Sequence, residues 1–234
     1  MSTPTTCQRG VTHPDALAGL LPHDARTMLY VGGADGDPAD KVPHPATVAP
    51  GFVLLAQKRA VLGFRDEEFD LVFCQGVLER LAGDALIHAR DELVRVSSRY
   101  LLASVPYRED IRRGRSTCDV CGMPNPPGGH VSTFDEETLA ALFPEMAVVG
   151  LAFHGETQAS TSAVSVALLD LARNPNGYYG RGTECMVCGA EMLSPPTTGA
   201  LRRSLGALGD ALNRLSERFT RPRPATLTVL LDKR

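Results

Sequence analysis

The chain has 234 residues, 43% hydrophobic and 22% charged, enough to bury the core of one large domain or of one domain with a small appendage. Its formal net charge of −3 gives no general pull toward nucleic acid or anionic lipid, and no apolar run approaches the roughly 20 residues of a membrane helix. The first thirty residues are polar, carry Pro4, Pro14 and Pro22, and lack a secretory pattern. The expectation is a cytoplasmic protein with no membrane partner, in which clustered cysteines serve as metal ligands rather than disulfides.

Residues 1–26 read as a lead-in with one short helix around Ala16–Leu21. Thr27–Val31 reads as a buried strand entering the turn Gly32-Gly33-Ala34-Asp35-Gly36. Pro38, Pro43, Pro45 and Pro50 exclude a long helix over residues 37–50, and Gly51–Gln57 reads as a second strand. Asp70–Cys74 suits a strand buried on both faces. Leu86, Ala89, Leu93 and Val96 recur at helical spacing, which predicts a helix over Asp84–Val96 with Asp84 as its cap. Tyr100–Val105 is a further strand, ended by Pro106. Strand, helix and strand in this order predict a parallel crossover and an α/β sheet.

Residues 107–129 turn charged, then rich in Gly and Pro. Asp135–Phe143 reads as a short helix, Met146–His154 as a strand, Ala163–Arg173 as a helix or a long strand, and residues 174–196 as loop. Leu201, Leu205, Leu208, Leu212, Leu215 and Phe219 alternate by four and three, giving one apolar stripe on a long helix that Pro222 and Pro224 end. Ala225–Leu231 closes the chain as a strand. The organisation expected is a lead-in (1–26), an α/β core (27–106), a metal-binding insertion with the remaining sheet elements (107–198), and a final helix and strand (199–234).

Two segments share one local form, Cys118-Asp119-Val120-Cys121-Gly122 and Cys185-Met186-Val187-Cys188-Gly189. A two-residue spacer lets a tight turn aim both sulfurs at one ion, and the following glycine permits the turn. Two such knuckles supply four thiolates, the closed tetrahedral set of a structural zinc site, with an iron centre as the rival metal. A closed set leaves no position for water, so no catalytic role is assigned to it. Cys7 has no partner spacing, and Cys74 at a strand end reads as a small core residue. Arg202, Arg203, Arg214 and Arg218 read as a solvated face opposite the leucine stripe. No aromatic residues interleave with them, so a nucleic-acid partner is not expected.

The stretch Leu62-Gly63-Phe64-Arg65-Asp66-Glu67-Glu68-Phe69-Asp70-Leu71-Val72-Phe73-Cys74-Gln75-Gly76-Val77-Leu78-Glu79-Arg80-Leu81, with Asp91–Val96 and Tyr100–Val105 after it, resembles class I S-adenosylmethionine-dependent methyltransferases. The knuckles, with Gly129-His130-Val131-Ser132-Thr133-Phe134-Asp135 between them, resemble a subgroup with a four-cysteine zinc insertion, in which His130 would be structural. The resemblance implies an abbreviated, doubly wound Rossmann-like sheet that binds S-adenosylmethionine at the carboxyl ends of its strands. It puts Val31, Gly32, Gly33 and Gly36 on the cofactor loop, Phe64 and Arg65 near the adenine, and Gln75 and Gly76 on the rim facing the methionine portion. The chain departs from the family at Tyr30, where an acidic residue is usual, and at Ala34, where the middle glycine is. Residues 37–62, 26 in all, also replace roughly two βα units. Asp35, Asp37 and Asp40 are the carboxylates nearest the turn.

The function implied is methyl transfer to a small molecule. The alternatives are a degenerate fold without cofactor that acts as a partner subunit of another biosynthetic enzyme, or a different small-molecule reaction in the same crevice. No catalytic residue is assigned. Arg80 reads either as an anchor for an anionic acceptor or as a surface arginine, and Tyr107, Arg108 and Glu109 as pocket lining or as a solvated loop.

Overall fold

The computed structural model describes residues 17, 19–32, 50–54, 62–156, 161–219 and 223–233. The chain divides into two compact units. The first is Met1–Arg108, Phe134–Glu156 and Pro224–Arg234; the second is Glu109–Thr133 and Thr157–Arg223.

Unit 1 is an α/β sheet. Its strands are β1 (Met28–Gly32), β2 (Pro50–Leu54), β3 (Phe69–Gln75), β4 (Ser97–Pro106), β7 (Ala147–Glu156) and β8 (Pro224–Asp232), in the order β2-β1-β3-β4-β8-β7. The first four run parallel; β8 is antiparallel to both its neighbours. Strands buried on both faces need apolar residues at odd and even positions, and β1 (Met-Leu-Tyr-Val-Gly) and the middle of β3 supply them. Leu29, Val31, Val72 and Leu101 point to one face, packed in one core with Leu93 of α1 (Asp84–Val96) and Leu139 of α2 (Glu136–Leu142). Met28, Tyr30, Phe73 and Leu102 point to the other, covered by Leu17, Leu20 and Leu21 of the lead-in.

Asp84 does not cap α1. The cap is Gly83, at φ +55°, a backbone conformation that favours glycine, and Asp84 lies in the first turn, where its charge suits the helix dipole. Asp135 does cap α2, accepting from the Thr138 N–H while the Thr138 hydroxyl accepts from the Asp135 N–H. At the amino edge of the sheet the Asp70 carboxylate accepts the N–H groups of Arg26 (2.8 Å) and Thr27 (3.0 Å). Burial opposes its charge, yet these bonds hold its pKa below the usual value.

Unit 2 holds both knuckles. A two-residue antiparallel pair, β5 (Ser116–Thr117) with β6 (Pro124–Asn125), frames the first, and a bridge between Glu184 and Glu191 frames the second. Two helices belong to the unit, α3 (Ala163–Leu171) between the knuckles in sequence and α4 (Ala200–Glu217) after the second. Added Cβ atoms on Gly206 and Gly209 of α4 would touch Pro175 and Ala172, and Leu169 and the Ser165 carbonyl, respectively. The pairing order makes the helices antiparallel. α4 therefore packs through its two buried glycines, and the leucine stripe is left largely outside.

Candidate functional site: a sheet switch point and a four-cysteine cluster

From β1 the sheet continues to β2 on one side and to β3 on the other, so strand order reverses at the β1–β3 boundary. In an open α/β sheet, ligands bind beyond the carboxyl ends of the strands at such a point. Here those ends are Gly32 and Gln75, which pair in register. Val31 is fully buried on the opposite face, and Gly76 follows Gln75 with φ +71°. Val31, Gly32, Gln75 and Gly76 are thus brought to one edge. Gly33, Gly36, Ala34, Asp35, Asp37 and Asp40 lie outside the described residues.

Tyr30 shapes this edge. A Cβ on Gly32 would overlap the Tyr30 ring, so only glycine fits beside it. The Tyr30 hydroxyl donates to Gln75 Oε1 at 3.5 Å, and its ring meets Phe73 edge-on at 5.4 Å. Burial, with Cys74 second, pushes the Tyr30 phenol up to about 12, so it stays neutral where the resembled family has a carboxylate. Burial likewise pushes the Cys74 thiol up, with the Glu79 charge adding to it, which fits an inert core residue.

A polar row continues inward from Gln75. Ser104 pairs with Gln75, and Thr228 with Ser104, all in register. The Thr228 hydroxyl donates to Ser104 Oγ (3.0 Å) and accepts from His154 Nε2 (3.0 Å), and all three residues are buried. Sequence reasoning missed this row, because single polar residues on strands far apart in sequence carry no local motif.

In unit 2 the four cysteine sulfurs lie within 4.8 Å of one another. Cys118 and Cys188 are 3.6 Å apart, and Cys121 and Cys185 3.5 Å. These separations are far beyond a disulfide bond of about 2.05 Å. They approach the roughly 3.8 Å edge of a tetrahedron with 2.3 Å metal–sulfur bonds. The knuckles are near copies. The N–H of Gly122 donates to Cys118 O (3.0 Å) and that of Gly189 to Cys185 O (2.8 Å), and both glycines have left-handed φ, +77° and +72°. Burial opposes ionisation of Cys185, but the Cys188 and Val187 N–H groups and neighbouring thiols bring it down to about 6. The Met123 N–H favours ionisation of Cys121, but burial and the other sulfurs outweigh it and push that thiol up to about 12. The cluster alone thus carries its first negative charge easily and resists the next, the state a divalent cation relieves.

Asn125, buried, was not legible as a site residue. Its amide N–H donates to Cys185 Sγ (3.6 Å) and its carbonyl accepts the Met186 N–H (2.9 Å). It orients one sulfur from behind, the part an outer-shell residue plays in a metal site.

Among solved structures, a candidate methyltransferase of Bacillus halodurans C-125 covers 93% of this chain and 98% of its own, at 13% identity and a TM-score of 0.50. The chain has the class I methyltransferase fold. Methyltransferases of Methanosarcina mazei (10% identity, 95% of this chain and 99% of that one, TM-score 0.44) and Archaeoglobus fulgidus (13%, 90% and 87%, 0.41) are further matches. No family model and no curated protein sequence matches the chain.

Within this methyltransferase fold, Phe64 and Arg65 do not reach the switch point. They precede β3, at the amino end of a seven-residue strand whose carboxyl end is Gln75, about 20 Å away. Arg95 ties their loop to α1, donating to Phe64 O and Leu62 O (2.9 Å each) and to Asp66 and Glu92. Phe64 stacks edge-on with Phe69, and the Arg65 side chain is 88% exposed. Their pattern is therefore structural.

Arg80 lies half-buried on a 3₁₀ turn (Leu78–Arg80) rather than on a surface helix, beside the buried Glu79. Tyr107 is core rather than loop: its ring meets Phe153 and its hydroxyl donates to Glu136 (3.1 Å). Arg108 pairs with Asp135. Glu109 and His130 form a 2.7 Å pair in unit 2. No helix among the described residues is long and apolar enough to cross a membrane.

Proposed function

We propose that unit 1 binds S-adenosylmethionine at the β1–β3 switch point and serves methyl transfer to a small molecule, and that the four thiolates of unit 2 hold a structural zinc ion. The observation that carries the reading is the in-register meeting of Gly32 and Gln75 where strand order reverses in a methyltransferase fold.

The residues present fit such a ligand in kind. Gly76 turns the backbone at the strand end with a left-handed φ of +71°, and the Gln75 carboxamide offers both a donor and an acceptor to a zwitterionic amino-acid end. The bound cofactor supplies an activated methyl group. The protein's part is to hold an acceptor in line with it and keep water out, work that rests on positioning rather than on a fixed triad. For the metal, the closed set of four sulfurs, with Asn125 behind one of them, supports a structural zinc ion.

Calorimetric titration of the metal-loaded protein with S-adenosylmethionine and S-adenosylhomocysteine tests the first half. Saturable binding of either supports it, and no heat of binding to folded protein contradicts it. Elemental analysis tests the second: about one equivalent of zinc is expected, and less than half an equivalent of any metal contradicts it.

A further inference from the structure

Two sulfur–sulfur contacts cross from one knuckle to the other, and each joins unlike partners. Cys118 is fully buried and meets the exposed Cys188 at 3.6 Å. Cys185 is buried and meets the exposed Cys121 at 3.5 Å. The two buried cysteines pack with Met192, and the Asn125 amide donates to both Cys185 and Met192 from behind. The two exposed cysteines follow knuckle tips that stand in solvent, where Val120 and Val187 are 71% and 65% exposed. Solvent therefore reaches one cysteine of each knuckle, and behind each lies a buried sulfur of the other knuckle.

A thiolate that can be reached and a second thiolate held close to it are the two parts that thiol oxidation by a peroxide requires. Zinc would keep all four sulfurs as thiolates, the nucleophilic form. The ion has no redox chemistry of its own, so electrons given to an oxidant come from sulfur. Closing either contact to a bond of about 2.05 Å asks each sulfur to move by less than about 1 Å.

We propose that Cys121 and Cys188 are oxidation sites, at which a hydroperoxide converts the metal centre into two cross-knuckle disulfides, Cys121–Cys185 and Cys118–Cys188. In each pair the exposed thiolate attacks a peroxide oxygen. The S–O bond forms, the O–O bond breaks and hydroxide leaves, which yields a sulfenic acid. The buried thiolate then attacks that sulfur, the S–S bond forms, the S–O bond breaks and a second hydroxide leaves. Two electrons pass from the two sulfurs to one peroxide, and solvent protons turn both hydroxides into water. A disulfide sulfur is no longer a thiolate donor, so the zinc ion is released. The new bonds join residues 70 and 64 apart in sequence, so the knuckles stay tied together as the metal departs. The proposal rests on the thiolate site of unit 2 and is independent of cofactor binding in unit 1.

The test treats the reduced, zinc-loaded protein with hydrogen peroxide and follows the metal with a chromophoric chelator. Release of the zinc is expected to be complete at about two equivalents of peroxide per protein, one for each disulfide. Peptide mapping by mass spectrometry without reductant should find Cys121 joined to Cys185 and Cys118 to Cys188. With dimedone present during oxidation, the label should fall on Cys121 and Cys188 and spare Cys118 and Cys185. A thiol reductant with added zinc should restore the starting metal content. Zinc that stays bound in excess peroxide would overturn the proposal. So would disulfides formed within the knuckles, Cys118–Cys121 and Cys185–Cys188, or dimedone on the buried pair. A protein that takes up no metal when reduced contradicts the zinc reading instead, and the dimedone label and disulfide map of that reduced protein still decide this one.

Discussion

The Tyr30 ring lies against the Cα of Gly32 while its hydroxyl reaches Gln75, the residue that pairs with Gly32 in register across the switch point. One aromatic side chain thus spans both strand ends where the ligand is proposed to bind. Gly32→Ala should cost about 1–3 kcal/mol in denaturant unfolding, because the new Cβ meets a packed ring rather than open space. Tyr30→Phe should cost less than about 1 kcal/mol, since the hydrogen bond to Gln75 is long and the packing is kept. The Tyr30 pKa is raised from 10.0 to about 12, so its contribution is complete below pH 10 and is lost as pH rises toward 12. The gap between parent and Tyr30→Phe should therefore narrow and then reverse on alkaline titration.

Asp70 ties the start of β3 to the start of β1. Asp70→Asn should destabilise unit 1 by about 1 kcal/mol at neutral pH, a modest figure because the carboxylate is partly exposed and screened. Its folded pKa is depressed below 3.8, so the contribution is present above that value and is lost as pH falls through the folded pKa. Unfolding curves at pH 7 and near pH 3 should show the difference shrinking. A difference that grows on acidification would refute this role.

The knuckle glycines make a sharper case. Nothing lies within 4 Å of a Cβ placed on Gly189, so any penalty for Gly189→Ala comes from its φ of +72° alone. A cost of about 1–2 kcal/mol is expected, read as a roughly tenfold weaker hold on zinc in competition with a chelator. Gly189→Asn should recover part of it, since asparagine tolerates this conformation.

Thr228 joins His154 and Ser104 inside the sheet of unit 1. Thr228→Val keeps the shape and deletes the hydroxyl that both use, so a loss of about 1–3 kcal/mol is expected in thermal unfolding. An unchanged melting temperature would show that the row contributes nothing to stability.

The parallel strands were legible because a strand buried on both faces needs a continuous apolar run, as in Leu71-Val72-Phe73-Cys74. The knuckles were legible because two sulfurs can meet one ion only through a short turn. What failed were readings that depend on partners far away in sequence. The spacing of Leu201 to Phe219 showed a helix but not which face it buries, and the face is set by Gly206 and Gly209. Phe64 and Arg65 resembled part of a cofactor site, but Arg95, 31 residues beyond Phe64, anchors their loop at the other end of β3. Asn125 stands alone in a proline-rich loop, and only the fold brings it to Cys185.

The most direct measurement is a crystal structure of the zinc-loaded protein with S-adenosylhomocysteine. The expected result is ligand density over the carboxyl ends of β1 and β3, its amino-acid end in hydrogen-bond reach of Gln75 and its body passing Gly32. A folded, ligand-saturated crystal with the Tyr30 ring still closed over Gly32, and the ligand elsewhere or absent, would contradict the assignment of this edge as the cofactor site.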